Sequence, residues 1–263
     1  MKKMPLRSEA KAGLAPLTGK LALVTGGARG LGLEISRQLA AQGAEVVVAA
    51  RDGTKAEAAA SALRGEGYAA HGLKLDVIRE EDRKAAHDNL QKSHGFLDIL
   101  INNAAVYLDS ENAATPAPRL ASGTPEDLLR TTFEINFFAP VFLTQALLPL
   151  LRQSKAGRIV NLSSIRGSLT LQTDPASTAY PKAFAYDASK TALNAFTVQL
   201  AEELRQTAIK VNAIHPGWVR TKMGSEAADL SLEEGARTAI LYASLPDDGP
   251  TGGFFYLDER LPW

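Results

Sequence analysis

Short apolar runs alternate with longer amphipathic runs along most of this 263-residue chain, and that alternation restricts it to one kind of architecture. Residues 20–25 (KLALVT), 45–50 (EVVVAA), 69–75, 97–101 (LDILI), 158–162 (RIVNL) and 209–214 (IKVNAI) read as strands. Helices are expected over residues 31–42, 54–65, 78–94, 124–154, 185–206 and 232–245, with a last strand over 253–257. Thr124 is the expected N-cap of its helix, with Pro125 in the first turn. The strands are apolar at nearly every position, so both of their faces are buried. That pattern belongs to a parallel sheet covered by helices on each side. Parallel neighbours need crossovers, which are right-handed in nearly all cases. One doubly wound α/β domain is expected over residues 18–263. Residues 1–17 carry Lys2, Lys3, Arg7, Lys11, Pro5 and Pro16 and are expected to form a flexible tail.

Composition removes several classes of function. Cysteine is absent, so neither a disulfide nor a thiolate metal site can form. Lys+Arg and Asp+Glu both total 29, and a balanced surface has no general attraction for nucleic acid or anionic membranes. His71, His87, His94 and His215 show no zinc-ligand spacing and read as surface or structural residues. No apolar h-region follows the basic N-terminal residues, and no apolar run approaches the roughly 20 residues of a membrane span. A soluble, cytoplasmic protein is expected.

The segment Thr25-Gly-Gly-Ala-Arg-Gly-Leu-Gly32 joins the first strand to the first helix. Its glycines let the backbone approach a pyrophosphate, and the helix N-terminus offers N–H groups and a positive dipole end. A Rossmann-type dinucleotide site is expected there, with Gly26, Arg29, Gly30, Leu31 and Gly32 as contacts. An acidic residue at the end of the second strand would take the ribose hydroxyls of NAD. This strand instead ends Ala49-Ala50-Arg51, and Arg29 sits in the glycine turn. Two guanidinium groups suit a 2′-phosphate, because each binds phosphate as a fork. The expected cofactor is therefore NADP (NADPH). Asp52 is the rival to this reading, and we take it as a cap for the next helix.

Tyr186 and Lys190 lie four residues apart on one expected helix face. A free Tyr has a pKa of about 10, and a nearby ammonium favours its phenolate. Around this pair the chain carries the glycine turn, Asp76-Val77, Asn102-Asn-Ala-Ala105, Asn136, Asn161-Leu-Ser-Ser164 and Pro216-Gly217, in that order. The ordered set resembles the short-chain dehydrogenase/reductase family over about residues 18–257. Asn136-Phe-Phe138, the long segment before Tyr186 and Trp263 resemble the monomeric carbonyl reductase-like branch.

The resemblance implies a role for each position. Tyr186 would protonate the carbonyl oxygen as hydride reaches carbon. Lys190 would bond the nicotinamide ribose and lower the Tyr186 pKa. Ser164 would bond the substrate oxygen, and Asn136 would hold a water in the proton relay. Asp76 and Val77 would border the adenine, and Asn103 would line the nucleotide channel. Val219 and Thr221 would orient the carboxamide. The chain departs from the family at Ala105, where Gly is usual and where Ala requires a negative φ. It also departs in the 22-residue separation of Ser164 and Tyr186, which is longer than usual.

The implied function is NADPH-dependent reduction of a ketone, aldehyde or quinone. The alternatives are oxidation of a secondary alcohol and a catalytically silent nucleotide sensor, which would be expected to lack Tyr186 or Lys190. A nucleotide-sugar epimerase is disfavoured, because residues 216–263 leave little room for a sugar-binding domain. Loops over 106–123, 166–185 and 218–230 are expected to shape the substrate pocket through Tyr107, Leu169, Tyr180, Phe184, Trp218 and Met223. That mixed aromatic and aliphatic set suits a non-ionic carbonyl compound. Leu169, Leu171, Pro175, Tyr180 and Phe184 are also expected to pack beside the start of the catalytic helix. Their burial would leave a monomer in place of a helix-paired dimer.

Overall fold

The computed structural model describes residues 16–109, 120–174 and 182–263. Expectations about Pro175, Tyr180 and residues 1–15 lie outside the described residues. In chain order the elements are β1 Leu21–Thr25, α1 Gly30–Ala41, β2 Glu45–Ala50, α2 Gly53–Gly65, β3 Ala70–Lys74, α3 Glu80–Ser93 and β4 Ile99–Asn102. Then come α4 Glu126–Phe133, α5 Ala139–Leu151, β5 Arg158–Leu162, α6 Leu169–Thr173 and α7 Phe184–Glu203. The last are β6 Lys210–Ile214, α8 Leu232–Ala243, β7 Phe254–Tyr256 and β8 Glu259–Arg260.

The sheet has the order β3-β2-β1-β4-β5-β6-β7-β8, parallel through β7 with β8 antiparallel at the edge. Strand alternation feeds two cores. Ala22, Val24, Val46 and Val48 pack under α1, α2 and α8 with Ile35, Leu63 and Ile240. Leu21, Leu23 and Leu100 pack under α3, α5 and α7 with Leu90, Leu143, Leu147 and Leu200. The strand order reverses between β1 and β4. In such sheets that break opens a crevice at the strands' carboxyl ends, where ligands bind.

Several expectations need correction. Leu17 is not tail: it is 4% exposed, packs with the β1 core and donates its N–H to Gln42 O. Thr124 does not cap α4. Pro125 holds the cap position, and Thr124 Oγ1 donates back to Leu120 O across the 3₁₀ turn Ala121–Gly123. The helix expected over 124–154 is broken into α4 and α5 by a π-helical turn, Glu134–Phe138. Taken through that turn, Glu126–Leu151 is 26 residues long and apolar enough to cross a membrane, contrary to the sequence reading. Its side chains Leu143, Leu147, Leu150 and Leu151 are fully buried against the sheet, which makes it a core helix. Leu169 is 59% exposed on α6, while Leu171 and Phe184 are half-buried. Phe138, Phe142 and Val198 on the π turn, α5 and α7 are exposed.

Candidate active site

The glycine turn closes as its composition requires. Gly26 and Gly30 have φ of 63° and 53°, a region that only glycine enters without strain. Asn103 pins the turn to β4. Its Nδ2 donates to Thr25 O at 2.7 Å and Gly26 O at 3.4 Å, and its N–H donates to Thr25 Oγ1 at 3.0 Å. No side chain caps α1, and no acid occupies its first turn. The N–H groups of Gly30, Leu31 and Gly32 have no acceptor among the described residues. Orphan donors at a glycine-lined helix start fit a pyrophosphate.

Arg29 and Arg51 are exposed beside this turn. Asp52 caps α2 as expected, accepting from Thr54 N at 3.0 Å and Lys55 N at 3.2 Å. Asp76 and Val77 are half-buried after β3, where Asp76 N donates to Asp82 Oδ2 and Val77 O accepts from Arg83. Val219 is buried and bridges to Leu230, and Thr221 Oγ1 accepts from Gly224 N at 2.9 Å. Ala105 is not at positive φ, so its methyl is accommodated.

At the other end of the crevice the catalytic candidates meet. Ser164 follows β5, is 7% exposed and accepts from Arg166 N at 3.2 Å, close enough to the Tyr186 phenol to influence it. Lys190 is 3% exposed, with Nζ 5.6 Å from the Tyr186 ring centroid. Its ammonium donates to Leu162 O at 2.7 Å. Asn136 sits in the π turn. Its Oδ1 accepts from Val106 N at 2.8 Å, and its Nδ2 donates to Val106 O at 2.9 Å and Ser189 Oγ at 3.1 Å. The amide thus ties the segment after β4 to α7. Beneath the site, Asn102 Nδ2 donates to Asn161 Oδ1 and Thr144 Oγ1, joining β4, β5 and α5.

Burial pushes the Tyr186 phenol up to about 12. Arg166 and Ser164 pull it back, while Asp187 and Tyr107 add to the rise. Lys190 was expected to supply the downward pull, but burial takes Lys190 itself down to about 7.

Sequence reasoning missed two groups here. Asp109, 1% exposed, accepts from Ala185 N at 3.1 Å and Tyr186 N at 3.0 Å, and so caps α7 from 76 residues away. Arg166 and Asp187 form an ion pair with Nε to Oδ1 at 2.7 Å. No local pattern marks either feature, because each partner comes from a different part of the chain. Of the pocket candidates, Tyr107 packs edge-on to Tyr186 with ring centroids 5.2 Å apart. Trp218 and Phe184 are half-buried, and Met223 is 38% exposed. His215 is held neutral: burial lowers it to about 4, and its Nδ1 is buried with no partner among the described residues.

The short chain dehydrogenase family model matches residues 20–231. Dehydrogenase/reductase SDR family member 4 of Bos taurus is 36% identical over 206 residues, spanning 78% of this chain and 68% of its own. Carbonyl reductase (NADPH) 1 of Homo sapiens is 32% identical over 274 residues, spanning 89% and 95%. The crystal structure of NADPH-bound carbonyl reductase from chicken fatty liver superimposes with a TM-score of 0.80 at 26% identity, over 94% of this chain and 99% of that one. A family match over most of the chain, on a sheet of this order, means that the chain belongs to the short-chain dehydrogenases/reductases, a family of NAD(P)-dependent oxidoreductases.

Proposed function

We propose that the protein reduces the carbonyl of a ketone, aldehyde or quinone with NADPH, and that Tyr186 donates the proton. The charge beside the glycine turn carries this reading. Arg29 and Arg51 are exposed, and neither side chain is engaged by a described residue. The neighbouring acid, Asp52, is turned into the α2 cap and lies 3.6 Å from Lys55 Nζ. Two available guanidinium groups and no inward acid favour a 2′-phosphate over bare ribose hydroxyls. A relative and a structural neighbour with NADPH in their names support the same cofactor.

The glycine turn, Asp76, Val77, Asn103, Val219 and Thr221 would hold the dinucleotide, which when bound supplies the hydride. The protein's own part is at the oxygen. Ser164 and Tyr186 both offer O–H groups to it, and donors fixed at the point where charge develops act most strongly in the transition state. As the carbonyl carbon becomes tetrahedral, its oxygen takes the Tyr186 proton and leaves a phenolate. Ser164 and the nearby cations stabilise that phenolate until it is reprotonated. Asn136 and Asp109 hold the site's backbone in register while this happens.

The test is kcat/KM for NADPH and NADH with a panel of ketones, aldehydes and quinones, followed by the loss of reduced-nicotinamide absorbance. We expect NADPH to be preferred at least tenfold, about 1.4 kcal/mol. Equal efficiency with both cofactors overturns the assignment of Arg29 and Arg51. Turnover only of alcohols with the oxidised cofactor overturns the direction.

A further inference from the structure

We propose that Arg166 is a positioning residue for Tyr186, one that clamps the Tyr186 ring through Tyr107 and Asp187 and keeps a permanent positive charge beside its phenol. Arg166 lies in the 3₁₀ turn Ile165–Gly167, directly after Ser164. Its Nε and Nη2 face Asp187 Oδ1 and Oδ2 at 2.7 Å and 3.5 Å. The pair is largely buried, with the two side chains 17% and 8% exposed. Asp187 also accepts from Ala183 N at 3.2 Å, which ties the pair to the start of α7. On its other side the guanidinium lies 5.9 Å from the Tyr107 ring centroid, and Tyr107 meets Tyr186 edge-on. A side chain held by an ion pair and an aromatic face has little freedom to move its charge away.

The groups facing Tyr186 come from four places. The 3₁₀ turn supplies Arg166, and the end of β5 supplies Ser164. The segment after β4 supplies Tyr107 and Asp109, whose carboxylate holds the Ala185 and Tyr186 amides. The helix itself supplies Asp187 and Lys190. Of these, Lys190 is the weaker cation at neutral pH, because burial takes it to about 7. An arginine guanidinium keeps its charge throughout the pH range in which proteins stay folded. Its pull on the phenol is larger than the opposing push of Asp187. Arg166 thereby makes the phenolate left by proton donation less costly, a task the sequence alone assigns to Lys190.

For turnover this rests on the function proposed above, but the ionisation of Tyr186 can be read in the free protein. Tyrosine isotope-labelled at the hydroxyl-bearing ring carbon reports phenol against phenolate by NMR, and Tyr186→Phe identifies the resonance. At a fixed alkaline pH we expect Arg166→Gln to lower the phenolate fraction about tenfold, the effect of one pKa unit. Asp187→Asn should raise it, and Arg166→Lys should leave it near the starting value. Alcohol oxidation at fixed pH should move in the same opposite senses, with NADPH affinity unchanged. A structural role alone would harm both variants alike. Shifts of one sign in Arg166→Gln and Asp187→Asn, or no shift in either, overturn the proposal. Should Arg166→Gln fail to fold, Asp187→Asn and Arg166→Lys decide the question. Titration shifts as expected in a protein that turns over no carbonyl or alcohol would sink the enzymatic reading and leave this one. An active enzyme with an unmoved Tyr186 titration would do the reverse.

Discussion

Gly32→Ala tests whether the glycine turn is as tight as the site requires. An ideal Cβ on residue 32 lies 2.4 Å from Gly26 O and 2.5 Å from Asn103 Nδ2. Ordinary C···O approach begins at about 3.3 Å, so roughly 0.9 Å of overlap must be relieved. Gly26 cannot easily yield, since its φ of 63° fixes the turn. Asn103 can yield only by loosening its bonds to Thr25 O and Gly26 O. One lost hydrogen bond costs about 0.5–1.5 kcal/mol, and overpacking adds about 1–3. We expect a loss of about 2–4 kcal/mol in urea unfolding. NADPH affinity, measured by fluorescence titration, should fall at least tenfold, because the disturbed backbone is the part proposed to meet the pyrophosphate. Gly65→Ala is the control. No atom lies within 4 Å of its Cβ position, and it sits in the last turn of α2. Helix propensity should there add up to about 1 kcal/mol of stability and leave NADPH binding untouched. A Gly32→Ala protein with normal stability and normal NADPH affinity would refute this account of the turn.

Arg51→Asp should weaken NADPH use and narrow the gap to NADH, read as the ratio of kcat/KM values; an unchanged ratio places the 2′-phosphate elsewhere. Tyr186→Phe should abolish nearly all turnover while NADPH binding survives, and Lys190→Ala should damage both; full activity in Tyr186→Phe rules it out as donor. Asp52→Ala should cost about 1 kcal/mol through loss of the α2 cap, seen as a lower urea midpoint with cofactor preference kept. His215 has a folded pKa of about 4, below its free value near 6.5. The unfolded chain therefore gains a proton first as pH falls, so this group's share of stability is full above about 6.5 and declines toward pH 4. The loss is at most about 3–4 kcal/mol, and His215→Gln should flatten that stretch of the urea-midpoint curve.

The sheet was legible because its signal is local. Apolar runs such as those of β1, β2 and β5 mark buried strands whatever surrounds them. The glycine turn, Tyr186/Lys190 and the Asp52 cap were legible for the same reason, each being a short-range pattern with a short-range cause. β8 was not, since Glu259–Arg260 is two exposed polar residues whose strand character comes only from pairing with β7. The cap on α7 was hidden too, because Asp109 reaches Ala185 and Tyr186 through the fold and not through spacing. The balance of charge at Tyr186 depends on burial, which a four-residue spacing to Lys190 does not reveal.

The π turn at Glu134–Phe138 sets the phase of the helix that contains it. An α-helix turns about 100° per residue, and one extra residue in the turn rotates everything upstream by that amount relative to everything downstream. The buried stripe of α5 and the contacts of α4 therefore do not share a single helical wheel. Glu126–Leu151 has the length and composition of a membrane span while its buried stripe lies on a sheet. Removing one residue between 134 and 138 would bring the two halves into a common register. It would also swing Asn136 off Val106 and Ser189 and release the strap that joins the segment after β4 to α7. A shorter, more regular helix would come at the expense of the geometry around Tyr186.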